Sequence, residues 1–331
     1  MLSLRRHFTS SAVVKSGKFI VRNAAFHELE FAVKLAVSES WDKGPHDLAC
    51  AYDSKSSFIG ELHFDKQRPV KIAYQTCVEY PGHLTFFGDF LVINEYRGRG
   101  YGLKITKDVW ELRNVSKATH TVGTDALPHM AQKYETEFGV KPEWTNQPAL
   151  VSLRKVSNIF SKVKISPEIL VKPIREVDMD SLCDYDTSVF GAPRHEFLKK
   201  WISIPGSLGW AAIDGNSTVV GYCATRQIVC NGGAEIGLNM APLFADNQLI
   251  AKVLLREAAN TYLANDAIEC TKMLILVPEG ENGNASAVKV IENELEAECD
   301  CENTSIRMYT KGAPPNMQIN KIFGLTTLSY G

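Results

Sequence analysis

Three glycines and two arginines within six positions, Arg97-Gly98-Arg99-Gly100-Tyr101-Gly102, are the residues of this sequence best placed to do chemistry. Glycine tolerates positive φ, so the N–H groups of such a turn can point into one concavity. A helix that starts there adds unpaired amides and the positive end of its dipole. The product is an anion cradle. Arg97 and Arg99 supply planar guanidinium forks that match phosphate oxygens, so the pattern predicts a ligand carrying a diphosphate. A dinucleotide fingerprint would need G-x-G-x-x-G and an acidic ribose ligand in a clean βαβ unit, and glycines at 98, 100 and 102 do not supply it. A P-loop is excluded because no Gly-Lys-Ser/Thr closes the turn.

The elements that must position the cradle are legible on either side. Phe86 to Ile93 is an apolar strand, and Leu103 to Val115 carries Ile105, Val109, Trp110 and Leu112 at helical spacing. On these residues the stretch resembles motif A of the GNAT superfamily of acyl-CoA-dependent N-acyltransferases, Arg/Gln-x-x-Gly-x-Gly/Ala. Arg97, Gly100 and Gly102 satisfy it, and Val92 occupies the family's strand-end position. The resemblance implies that Val92, Arg97, Gly98, Arg99, Gly100, Tyr101 and Gly102 bind coenzyme A, with acetyl-CoA as the donor and no metal.

Around the cradle, residues 18 to 155 read as β-α-β-β-β-α-β-α-β, the element order of that family. Lys18 to Asn23, Phe58 to Phe64, Val70 to Tyr80 and Thr119 to Gly123 are strands, Ala24 to Trp41 and Leu127 to Phe138 are helices, and Gly44-Pro45 breaks the first helix. Glu143-Trp144 and Leu150 to Leu153 are expected to close the sheet. Residues 157–166 are polar and basic and read as a linker. After it the pattern restarts, with strands at Glu168 to Pro173, Trp210 to Ile213, Thr218 to Val229, Gly233 to Met240, Lys272 to Val277, Ser305 to Tyr309 and Ile322 to Ser329. The expected architecture is therefore α/β with mixed sheets, as tandem GNAT-like folds over 17–156 and 167–331. The second copy should be degenerate. Ala241-Pro242-Leu243-Phe244-Ala245-Asp246 stands where its glycine turn would be, and proline removes a donor. That copy is expected to shape the acceptor site instead, and the family resemblance nominates Arg194, Arg226 and Arg307 as its substrate-binding cations.

N-acyl transfer from a thioester needs a deprotonated amine, a polarised carbonyl and a proton for the leaving thiolate. The resemblance places a tyrosine acid on the helix after the fifth strand, which is Tyr134. For the base, Asp89 and Glu79 border the expected cleft and His83 lies in the adjoining turn. Cys77 reads as packing. The acceptor is expected to be a small amine or amino acid, the alternative being a coenzyme A-binding scaffold without catalysis.

Composition limits the other classes. The chain has 331 residues, enough for two domains, and a net charge of −2 with no basic stripe of the kind a nucleic-acid binder shows. Its eight cysteines form no C-x-x-C pair, with Cys299 and Cys301 in an acidic loop, and no apolar run is long enough to span a membrane. Residues 1–16 are basic, rich in hydroxyls and free of carboxylates, which is the composition of a mitochondrial transit peptide. The matrix is therefore the expected location, with the cytoplasm as the alternative.

Overall fold

The computed structural model describes residues 17–39, 41, 46–53, 55–230, 235–265 and 270–331. The expected leader at 1–16 and the break at Gly44-Pro45 lie outside them. The first half runs β1 (Lys18–Asn23), α1 (Leu29–Ser38), α2 (Asp47–Ala51), β2 (Ser57–His63), β3 (Val70–Tyr80), β4 (Leu84–Val92), α3 (Tyr101–Leu112), β5 (Thr121–Ala126), α4 (Pro128–Phe138) and β6 (Lys141–Ser152). α5 (Leu153–Phe160) joins the halves, and the second half runs β7 (Leu170–Pro173), α6 (Met179–Phe190), α7 (His195–Ile202), β8 (Leu208–Ile213), β9 (Val219–Cys230), β10 (Glu235–Ala245), α8 (Gln248–Leu263) and β11 (Lys272–Glu279). It ends with α9 (Ala285–Val288), which continues as a π-turn over Lys289–Glu294, then β12 (Glu298–Cys299), β13 (Ser305–Tyr309) and β14 (Ile322–Gly324).

All the described strands join one mixed sheet in the order β1-β2-β3-β4-β5-β13-β6-β11-β10-β9-β8-β7, with β12 on β6 and β14 on β10. The two halves exchange strands at its centre. β13 of the second half sits between β5 and β6, while β6 of the first half sits between β13 and β11. The closing pair expected at 143–153 is instead one twelve-residue strand, and the place beside it is filled from a distant part of the chain. The linker expected at 157–166 begins inside α5, where Leu153, Val156 and Phe160 are buried at spacings of three and four. That stripe packs into the core with Leu254, Leu255 and Ile291. The reading of this stretch as a linker missed its short amphipathic face, which only the second half covers.

Two local features of the sheet position the cleft. In the β3–β4 hairpin Tyr74 faces Leu91 and Thr76 faces Gly88, so Gln75 alone opposes the bulged pair Asp89-Phe90. β4 and β5 then pair in parallel only from Leu84 to Phe87, against Thr121 to Thr124, and part beyond that point. The backbone of β4 from Gly88 to Val92 is left facing a gap.

Candidate active site

The gap between β4 and β5 opens into a cleft of about 1500 Å³, whose wall runs from Gly88–Val92 through the glycine turn to Tyr134 and on to Arg226 and Asn239 of the second half. At the cradle, Gly98 has φ 71° and Gly100 φ 81°, and a Cβ at either position would meet no atom within 4 Å. The concavity is thus open. Gly100 is the N-cap of α3, with no side-chain cap and no acidic residue in the first turn, so the helix amides are exposed to an incoming anion. Gly102 is glycine for another reason: a Cβ there would lie 2.5 Å from the Phe90 ring, so it lets α3 approach β4. Open space, uncapped amides and a positive helix end fit a pyrophosphate, and Val92 and Gly98 to Gly102 are the residues that would hold it.

Arg97 lines the cleft and also braces its turn. Its Nε donates to the Val92 carbonyl at 2.9 Å and its other end pairs with Glu39 at 2.5 Å, so it braces the turn against the end of β4. Arg99 lies over the Tyr96 ring, 5.7 Å from its centroid. Tyr101 lines the cleft and packs on Phe19.

Tyr134 also lines the cleft, between Phe90 and Phe138, and its hydroxyl takes no hydrogen bond from or to a described residue. Burial alone pushes its pKa up to about 12, so the phenol is a neutral proton donor at ordinary pH. Asp89 is buried with a left-handed φ of 44°, and its carboxylate accepts from the Ser329 hydroxyl at 2.7 Å and from Thr76 at 3.4 Å. Of the other candidate bases, Glu79 lies outside the cleft, where Arg113 holds it at 2.9 Å. His83 is exposed in its turn and packs edge-on against His120. Burial raises the Cys77 thiol well above its ordinary pKa, which leaves it without thiolate character.

The three arginines of the second half separate in the same way. Arg194 and Arg307 lie outside the cleft wall, each buried in a fork to one carboxylate: Asp186 at 2.8 Å for Arg194, and Asp125 at 2.7 and 2.9 Å for Arg307. They hold the core together rather than meet a substrate. Arg226 does line the cleft, paired with Asp47 at 2.8 Å and stacked over Trp201. Gln75, Asn239 and Ser329 line it too and were missed; the one signal available was that Asn239 interrupts the apolar run from Ile236 to Ala245.

The corresponding place in the second half is shut. Asn247 accepts from the amides of Leu249 and Ile250, capping α8 from within, and Asp246 puts a carboxylate beside that helix end. β10 and β11 also pair for only three residues, from Leu238 to Met240, but β14 then runs along β10 and Leu325 bonds back to Leu276 of β11. The wedge that is open between β4 and β5 is filled here by buried Ile322 and Phe323.

Comparison with known proteins agrees with this geometry. Residues 182–324 match the model of the GNAT acetyltransferase domain. The chain is 24% identical over 310 residues to the holothin acyltransferase of Pseudoalteromonas sp. (strain SANK 73390), covering 93% of each. A solved Pyrococcus horikoshii protein assigned to the acetyltransferases superposes with a TM-score of 0.66 at 16% identity, over 99% of both chains. A tandem GNAT protein from the clavulanic acid biosynthesis pathway superposes with a TM-score of 0.58 at 12% identity, over 88% of this chain and 98% of that one. With the family model on its second half and the paired fold along its whole length, the chain has a tandem GNAT-type fold.

Proposed function

We propose that this protein is an acyl-CoA-dependent N-acyltransferase that moves a short acyl group, acetyl in the simplest case, directly onto the amino group of a small molecule. The observation that carries the reading is one cleft with an uncapped, glycine-lined helix start at one end and an unpartnered tyrosine hydroxyl on its wall. Amides of the turn bind the donor's pyrophosphate. The amine attacks the thioester carbonyl, the new C–N bond forms as the C–S bond breaks, Tyr134 protonates the departing thiolate, and Asp89 takes the proton released by the amine. The likeness to a protein named holothin acyltransferase supports acyl transfer as the reaction.

The test is release of coenzyme A from acetyl-CoA, followed by a thiol reagent, against a panel of amines and amino acids. Acceptor-dependent release is the expected result. Tight binding of coenzyme A with no turnover of any amine would favour the scaffold reading instead. We also propose that residues 1–16 direct the chain to the mitochondrial matrix, on the strength of their basic, carboxylate-free composition. A reporter fused behind residues 1–27 should enter mitochondria, and a diffuse cytosolic signal would reject the leader.

A further inference from the structure

Buried polar atoms normally have partners, so the exceptions mark places where something is missing. Among the described residues, Gln75 Oε1 and Asn239 Oδ1 are buried with no hydrogen-bond partner, and both residues line the cleft. Gln75 and Asn239 are 2% and 5% exposed. Thr85 and Glu292 also hold unpartnered oxygens, but outside the cleft wall. The two amides come from opposite halves. Gln75 stands across from the Asp89 bulge, and Asn239 stands across from Arg226 in the β9–β10 register. A chain of contacts links the two sides: Arg226 pairs with Asp47, the Asp47 carbonyl lies 3.5 Å from the Tyr330 hydroxyl, and Tyr330 hydrogen-bonds Asp89.

We propose that Gln75 and Asn239 are the acceptor-recognition residues of this cleft, and that the acceptor is a small primary amine carrying a second N–H donor such as an amide. This rests on the acyltransferase reading above. An amide oxygen accepts and cannot donate, so each orphan calls for a hydrogen-bond donor from the ligand, which an amine or amide N–H supplies. Gln75, beside Asp89, receives the attacking amino group. Asn239 receives the second N–H. The terminal torsion of either side chain is soft, which lets the oxygen turn toward an incoming donor. An unpaired buried amide costs stability in the free protein, and such a cost is expected where a site keeps polar groups for its substrate.

Two independent readouts test the proposal. With acetyl-CoA as donor, glycinamide is compared with glycine methyl ester, which keeps the amine but lacks the amide N–H. Wild type should prefer glycinamide by about tenfold or more in kcat/KM, because a site built for an N–H rejects the analogue without it. Asn239→Leu should erase that preference and Asn239→Asp should keep it. Gln75→Leu should raise the KM of both amines about tenfold or more. The Kd for coenzyme A should be unchanged in every variant. The second readout needs no substrate: because the leucines remove an orphan polar group, both Leu variants should melt at or above the wild-type Tm. An equal preference in wild type, a preference that survives Asn239→Leu, or a Tm lower by more than about 5 °C in the leucine variants would overturn the assignment. Loss of coenzyme A binding by wild type itself would instead overturn the acyltransferase reading on which it rests.

Discussion

Gly100 and Gly102 show how two glycines of one motif serve different physical needs. Gly100 holds a left-handed backbone at the start of α3 in open space, so a branched residue there is strained by its φ and pushes its side chain into the cradle. Gly100→Val should cost about 1–2 kcal/mol in stability yet raise the Kd for coenzyme A by about two orders of magnitude or more, as read by calorimetry. An unchanged affinity would remove the cradle from the site. At Tyr134 the expectation concerns rate. Tyr134→Phe keeps the ring packing and removes the acid, so kcat should fall by about 100-fold with the Kd for acetyl-CoA unchanged. The pH profile carries its own sign. A phenol pushed up to about 12 stays protonated well above the ordinary tyrosine range, so wild-type kcat should show no decline near pH 10 from loss of this proton. A fall centred there would mean that the hydroxyl meets water more freely than the fold shows.

At the scale of elements the exchanged strands explain the arginines that the site does not use. Arg307 on β13 lies opposite Asp125 on β5, and the pair is buried where the second half enters the sheet of the first. Burial raises the Asp125 carboxyl against the pull of Arg307, so the charges are tolerable only together. Arg307→Met leaves an uncompensated buried carboxylate and should destabilise the chain by about 3–5 kcal/mol, seen in denaturant melts. The double variant Arg307→Met with Asp125→Leu should recover much of that loss. A single variant as stable as wild type would show that this pair does not hold the exchange together.

At the scale of the whole molecule the exchange makes two pseudo-copies into one folding unit. β13 fills a place between β5 and β6 that no strand of the first half can fill, and α5 covers its apolar stripe with the second half. Residues 1–160 alone should therefore be insoluble or unfolded, whereas co-expression with residues 161–331 should restore soluble, cofactor-binding protein. The full chain should melt in one cooperative transition and bind one coenzyme A, since the second wedge is closed by β14 and the second helix start is capped by Asn247. A folded, active fragment or two binding sites per chain would contradict this unity.

The sequence by itself determined the parts whose physics is local. The glycine turn, the strand before it and the helix after it depend on neighbouring residues, and Arg97 to Leu112 folds as the spacing of glycine and apolar residues requires. Most strands of the second half follow from periodicity for the same reason. What only the tertiary structure decided depends on residues far apart in the chain. A carboxylate 182 positions from Arg307 turns a candidate substrate cation into a buried pair, and Asp186 does the same for Arg194. The division between the halves was hidden because the amphipathic stripe of α5 has meaning only beside α8. Gln75 and Asn239 passed as ordinary strand residues, since whether a polar side chain finds a partner is settled by what packs around it and not by its place in the sequence.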